Sequence, residues 1–226
     1  MEKHLDKRAM KPIRYIPYML ICLCLTAFGE TRYPSIDEAI ARGDLEDVQA
    51  HLAENPETAN QGTHPRMSPL QMAILRNKTE IAETLIEAGA DLQLKDSAQR
   101  TLLHLAVDRK NLALVKSLLA HQAAPNELDR VGWTPLHHAA AKDSVEIAQA
   151  LLKGGANPMT LSKGGGTPLH EAAASGSAEM VRLLISHGTD PFVSAKNGDS
   201  ALDVAQAREN APAIRALQSV KSRVKE

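Results

Sequence analysis

The chain has 226 residues and a formal net charge of −1, from 26 basic and 27 acidic side chains. That balance excludes a generic nucleic-acid binder, which needs a basic footprint. Both cysteines, Cys22 and Cys24, lie near the N-terminus, so the rest of the chain offers neither a disulfide framework nor thiol chemistry.

Residues 1–29 read as a secretory signal peptide. Lys7, Arg8, Lys11 and Arg14 form a basic start, and Tyr18 to Phe28 forms an apolar stretch. The stretch is shorter than the roughly 20 residues that span a bilayer. Ala27-Phe28-Gly29 then supplies small residues for cleavage before Glu30. Ile21 and Leu23 precede the two cysteines, which argues against a lipoprotein. The expectation is therefore export, with the bacterial periplasm the best-fitting address. The alternatives are an uncleaved N-terminal membrane anchor, a buried N-terminal helix of a cytosolic protein, and release to the medium as an effector. Residues 1–29 hold five basic and two acidic side chains, which leaves 21 against 25 in the body, a net −4.

The body is periodic. Thr134-Pro135-Leu136-His137-His138-Ala139 returns thirty-three residues later as Thr167-Pro168-Leu169-His170-Glu171-Ala172 and stands thirty-three earlier as Thr101-Leu102-Leu103-His104-Leu105-Ala106. Ser68-Pro69-Leu70-Gln71-Met72-Ala73 and Ser200-Ala201-Leu202-Asp203-Val204-Ala205 extend the register by one step each way. Each copy begins with an N-cap residue, and in three copies Pro follows at N1, where its missing N–H costs nothing. Ile147, Ala148, Leu151 and Leu152 then repeat at helical spacing, and Gly155 falls where a helix end needs positive φ. Leu85, Leu118, Leu151, Leu184 and Leu217 share one register, which predicts a continuous leucine core. Gln122 stands where Gly89, Gly155 and Gly188 sit, and Gln99 lies in the turn where later copies have Gly132, Gly165 and Gly198. Residues 94–125 are thus the expected soft join.

Five copies of this T-P-L-H-x-A pattern resemble the ankyrin repeat, over residues 35 to about 218. The resemblance implies an all-α repeat solenoid of five to six repeats, with helix-turn-helix pairs joined by β-hairpin fingers. It divides the chain into a signal peptide (1–29), an N-terminal capping repeat (30–67), four repeats (68–199), and a C-terminal capping repeat with a frayed basic tail (200–226). Terminal repeats need polar outer faces. Glu38, Asp44, Glu46 and Asp47 are expected to supply one, and Asp203, Gln206, Arg208 and Glu209 the other.

No catalytic motif appears, and no cofactor is implied. Lys163-Gly164-Gly165-Gly166-Thr167 has the wrong order for a phosphate loop and reads as a finger turn. His104, His137 and His170 hold equivalent places in helices spaced about 8–10 Å apart, too far for one metal ion. They are expected to tie fingers to helix starts by hydrogen bonds, with Gln71 and Asp203 serving likewise. His137 and His138, being adjacent on a helix, point apart.

The resemblance places partner binding on the finger tips and first helices. By register, the tips include Arg130, Lys163 and Lys196, the first-helix ends Arg76, Arg109 and Lys142, and the positions before the caps Arg100 and Trp133. On an acidic body these form a basic groove suited to an acidic protein surface. Trp133, the sole tryptophan, is its anchor, unless it packs within the chain on Leu128, Val131 or a neighbouring finger. The sequence therefore predicts a monomeric, non-enzymatic scaffold that binds protein, not metal or nucleic acid, and meets a membrane only if residues 1–29 persist; the alternative of another class is an enzyme without a recognisable motif.

Overall fold

The computed structural model describes residues 30–223, so the leader reading and the last three residues fall outside it. Among the described residues twelve α-helices follow one another. They are α1 (Ile36–Arg42), α2 (Leu45–Glu54), α3 (Pro69–Leu75), α4 (Thr79–Glu87), α5 (Leu102–Asp108), α6 (Leu112–Ala120), α7 (Pro135–Ala141), α8 (Val145–Lys153), α9 (Pro168–Ser175), α10 (Ala178–Ser186), α11 (Ala201–Ala207) and α12 (Ala211–Arg223). A short 3-10 turn, Pro56–Ala59, follows α2. Odd-numbered helices stack on odd and even on even, one repeat against the next. This is the nearest-neighbour packing of a solenoid.

Local chemistry explains how the odd-numbered helices of the repeats start. Ser68, Thr134 and Ser200 cap α3, α7 and α11 by accepting the backbone N–H three residues on, and a capping box closes each of these ends. Pro69, Pro135 and Pro168 occupy the first turn, where no N–H is needed. The expected leucine stack is present: Leu85, Leu118, Leu151 and Leu184 are fully buried, Leu217 is nearly so, and Leu52 carries the column into α2. Burying one such side chain contributes roughly 1.5–3 kcal/mol. No helix among the described residues is long and apolar enough to cross a membrane.

Three expectations need correction. The fingers form no strands among the described residues: two keep a single antiparallel bridge, Lys95 with Thr101 and Ser194 with Ser200, and the rest turn without one. Asp47 does not face outward. It is buried, because its carboxylate accepts the backbone N–H groups of Arg32 and Tyr33 and so anchors the entry to α1. Residues 219–223 are helical where a frayed tail is expected, since α12 continues to Arg223, and the rest of that tail lies outside the described residues.

Gly132 and Gly165 show why fingers demand glycine. A β-carbon at Gly132 would lie 2.6 Å from the backbone nitrogen of Lys163 in the next finger, and one at Gly165 would lie 2.9 Å from that of Lys196. Gln99 and Gln122 hold the left-handed backbone that the register dictates, at φ 61° and 63°. At Gly89, Gly155 and Gly188 an added β-carbon meets nothing within 4 Å, so the cost at Gln122 is one of backbone conformation alone. Gln122→Gly is accordingly expected to raise unfolding stability by about 1 kcal/mol, read as a higher urea midpoint at unchanged slope. No gain would show that the Gln122 side chain compensates for its backbone.

Candidate binding groove

The odd-numbered helices and the fingers form one face, and His104, His137 and His170 hold it together. In each, Nδ1 accepts the backbone N–H of its own cap residue (Thr101, Thr134 and Thr167) at 3.0–3.1 Å. Nε2 therefore carries the proton and donates it to the following finger, to the carbonyls of Trp133 (3.0 Å), Gly166 (3.2 Å) and Asp199 (3.3 Å). The expected tie is real and reaches further, since it joins each helix start to the next repeat. Gln71 and Asp203 perform the first half of this task, accepting from Ser68 and Ser200. Burial holds His104 and His137 neutral, with pKa values pushed down to about 4 against the pull of the carbonyls they contact.

Trp133 is pinned by its backbone. Its N–H donates to Asp129 Oδ1 (2.8 Å), and its carbonyl accepts from the Asp129 N–H (2.9 Å) as well as from His104. The residue is half-buried, and its ring stacks on His137 at 6.2 Å and 19° and meets His138 edge to face at 5.3 Å and 88°. Leu128 and Val131, the partners expected from sequence, are exposed. Trp133 does pack within the chain, but on the two histidines of α7. The spacing to His137, four positions on, was the signal that could have found this.

The basic row divides. Arg100 and Lys142 are not free guides. Arg100 is paired at 2.8 Å with both Asp96 and Asp108, and Lys142 reaches Asp108 at 3.4 Å. Arg76, Arg109 and Lys142 sit at helix C-caps, where cations also complement the helix dipole. Arg76, Arg109 and Lys196 make no ion pair among the described residues and are exposed. Arg130 and Lys163, also exposed, reach back along the tips, donating to the carbonyls of Ser97 and Arg130.

A residue that the sequence shows only as half of an adjacent pair lies at the centre. His138 places Nδ1 3.0 Å from Asp108 Oδ1 and Nε2 3.1 Å from Asp129 Oδ2. Together with Arg100 this gives one chain of contacts, Asp96–Arg100–Asp108–His138–Asp129, running from one finger through α5 and α7 to the next finger. Burial disfavours charge on His138, but hydrogen bonds to Asp108 and Asp129, and then their charges, outweigh it and raise its pKa. Burial likewise opposes charge on Asp108, yet the hydrogen bond and charge of His138, with Lys142, hold it down to about 2. Glu171, one register on in α9, is pushed up by burial, against the pull of Arg208 and His138.

Ligand atoms of His104, Asp129 and His138 lie within 4.8 Å of one another, a spacing a cation could bridge by contraction. The protons argue otherwise. His104 Nδ1 is occupied by the Thr101 N–H, so its Nε2 bears a hydrogen and turns it to Trp133. His137 and His170 make the same pair of bonds with no such cluster beside them among the described residues. A repeated structural role therefore accounts for His104 in full.

The sequence matches the family described as ankyrin repeats (3 copies) over residues 36–129, 103–195 and 155–224. It is similar to inversin of Gallus gallus, 31% identical over 94 residues, which is 42% of this chain and 8% of that protein. Inversin of Homo sapiens is 30% identical over 95 residues, 42% of this chain and 9% of that one. NF-kappa-B inhibitor alpha of Sus scrofa is 46% identical over 50 residues, 22% of this chain and 16% of that protein. The chain thus spans less than a fifth of the length of these relatives.

Proposed function

The chain belongs to the ankyrin-repeat family, and from that premise we propose that it is a protein-binding scaffold of the cell envelope. It holds an acidic-surfaced partner against its fingers and odd-numbered helices. Ankyrin repeats mediate protein binding and are in general not enzymes, and one relative is by name an inhibitor of another protein. The observation that carries the reading is Trp133. A lone, half-buried tryptophan with a locked backbone and a ring backed by two imidazoles is preorganised as an anchor, and preorganised aromatics dominate interface energies. Arg76, Arg109, Arg130, Lys163 and Lys196 remain as exposed cations on the same face, and these would raise association rate and selectivity. Placement in the envelope rests on the leader pattern of residues 1–29.

The test is crosslinking capture from the native envelope, comparing wild type with a folded Trp133→Ala, Arg109→Glu variant. Loss of an anchor worth at least about 2 kcal/mol weakens the complex roughly thirtyfold or more, so the partner should disappear from the variant. A partner retained by both proteins would move the contact elsewhere on the solenoid. An intact mass that lacks residues 1–29 is the outcome expected for export, and one that retains them would make the scaffold membrane-tethered.

A further inference from the structure

The position of His138 requires a charge. A neutral imidazole has one N–H and one lone pair, yet both His138 nitrogens face carboxylate oxygens, at 3.0 Å and 3.1 Å. Only the cation can donate to both. The two carboxylates belong to different repeats' junction parts. Asp108 ends α5, where Arg100 and Lys142 also hold it. Asp129 organises the next finger by accepting the N–H groups of Val131 and Trp133. We propose that His138 is a proton-operated latch between these two repeats: as an imidazolium it bridges Asp108 and Asp129 and fastens the Trp133 finger to α7, and on losing its proton it lets go of one carboxylate and loosens that finger.

The surroundings fit a single dominant titration. From α5, His138 is faced by His104, whose ring meets it edge to face at 5.2 Å, and by Asp108. The fingers supply Asp129 and, through Asp108, Arg100 with Asp96. Its own helix supplies His137 and Lys142, and beyond them stand Glu171 of α9 and Arg208 at the end of α11. His104 and His137 stay neutral until about pH 4, so neither repels the cation at neutral pH. A histidine whose folded pKa is raised stabilises the fold fully below its unfolded value, and that contribution is lost as pH rises through the folded value. The latch therefore opens on the alkaline side. Where Trp133 anchors a partner, as proposed above, affinity inherits the same proton linkage. The latch itself belongs to the chain alone and is tested without a partner.

The chain carries its own reporter, because Trp133 is the only tryptophan and its ring lies within cation–π range of His138. The experiment follows the His138 ring by NMR and Trp133 emission by fluorescence from pH 5 to 9, on wild type, His138→Gln and Asp108→Asn. The expected result is a His138 midpoint above the ordinary value of about 6.5, with emission changing at the same midpoint. His138→Gln should abolish the emission change, and Asp108→Asn should lower the midpoint while leaving the Asp129 turn intact. A wild-type midpoint at or below about 6.5, or emission that stays flat while His138 titrates, overturns the proposal without reliance on any variant's folding.

Discussion

Leu151→Ala should lower unfolding stability by about 2–5 kcal/mol. Leu151 is fully exposed to packing and not at all to water: it lies in α8, at 0% accessibility, between Leu118 of α6 and Leu184 of α10 in the same register. Truncation removes the transfer energy of the lost carbons and leaves a cavity that neighbours on both sides cannot fill without sliding. In a solenoid each repeat contacts only its neighbours, so the loss falls on two interfaces at once in the middle of the array. The control is Leu128→Ala, where the side chain is 42% exposed and a change within about 0.5 kcal/mol is expected. Urea unfolding followed by circular dichroism measures both. A Leu151→Ala loss no larger than that of Leu128→Ala would mean that the column does not carry the core.

What the sequence showed and hid follows from which contacts are periodic. The helices, their caps and the leucine column recur at one spacing, so a single chain displays them five times over. The histidine ties were half legible. The bond from Nδ1 to the cap lies three residues away and could be read locally, whereas the bond from Nε2 spans 29 residues to the next finger and depends on how repeats stack. The basic row was legible in part. Register places Arg100 and Lys142 on the proposed binding face, but Asp108 of α5 becomes a neighbour of Lys142 only through stacking, whereas Arg100 meets Asp96 and Asp108 within its own repeat, four and eight residues away. Asp47 looked like surface charge because a sequence does not display the backbone N–H groups of Arg32 and Tyr33 that draw it inward. In the sequence His138 is only half of an adjacent pair. Its partners are on other elements, and no local pattern announces them.

Stability should also fall steeply as pH drops from about 6.5 toward 4, with His104 and His137 as the cause. Both are fully buried, and burial pushes their pKa values down to about 4. Charging either would also put a hydrogen on Nδ1, against the Thr101 or Thr134 N–H that it now accepts. The unfolded chain takes up protons at these sites from about pH 6.5 downward while the fold refuses them, so stability rises with pH across the window. Each site contributes on the order of 3 kcal/mol across it, a large share of the roughly 5–15 kcal/mol available to a domain. Asp108 cannot account for the effect. Its pKa is held down to about 2, so its contribution persists above the ordinary carboxylate range and is lost only as pH falls toward that value. The chain suggests its own control, since Gln71 already fills the equivalent place in α3 and caps Ser68. In a His104→Gln, His137→Gln variant, urea midpoints should vary far less between pH 6.5 and 4.5 than in wild type. If the variant loses stability just as steeply, the acid sensitivity lies elsewhere, and the two histidines are neutral caps without linkage to folding.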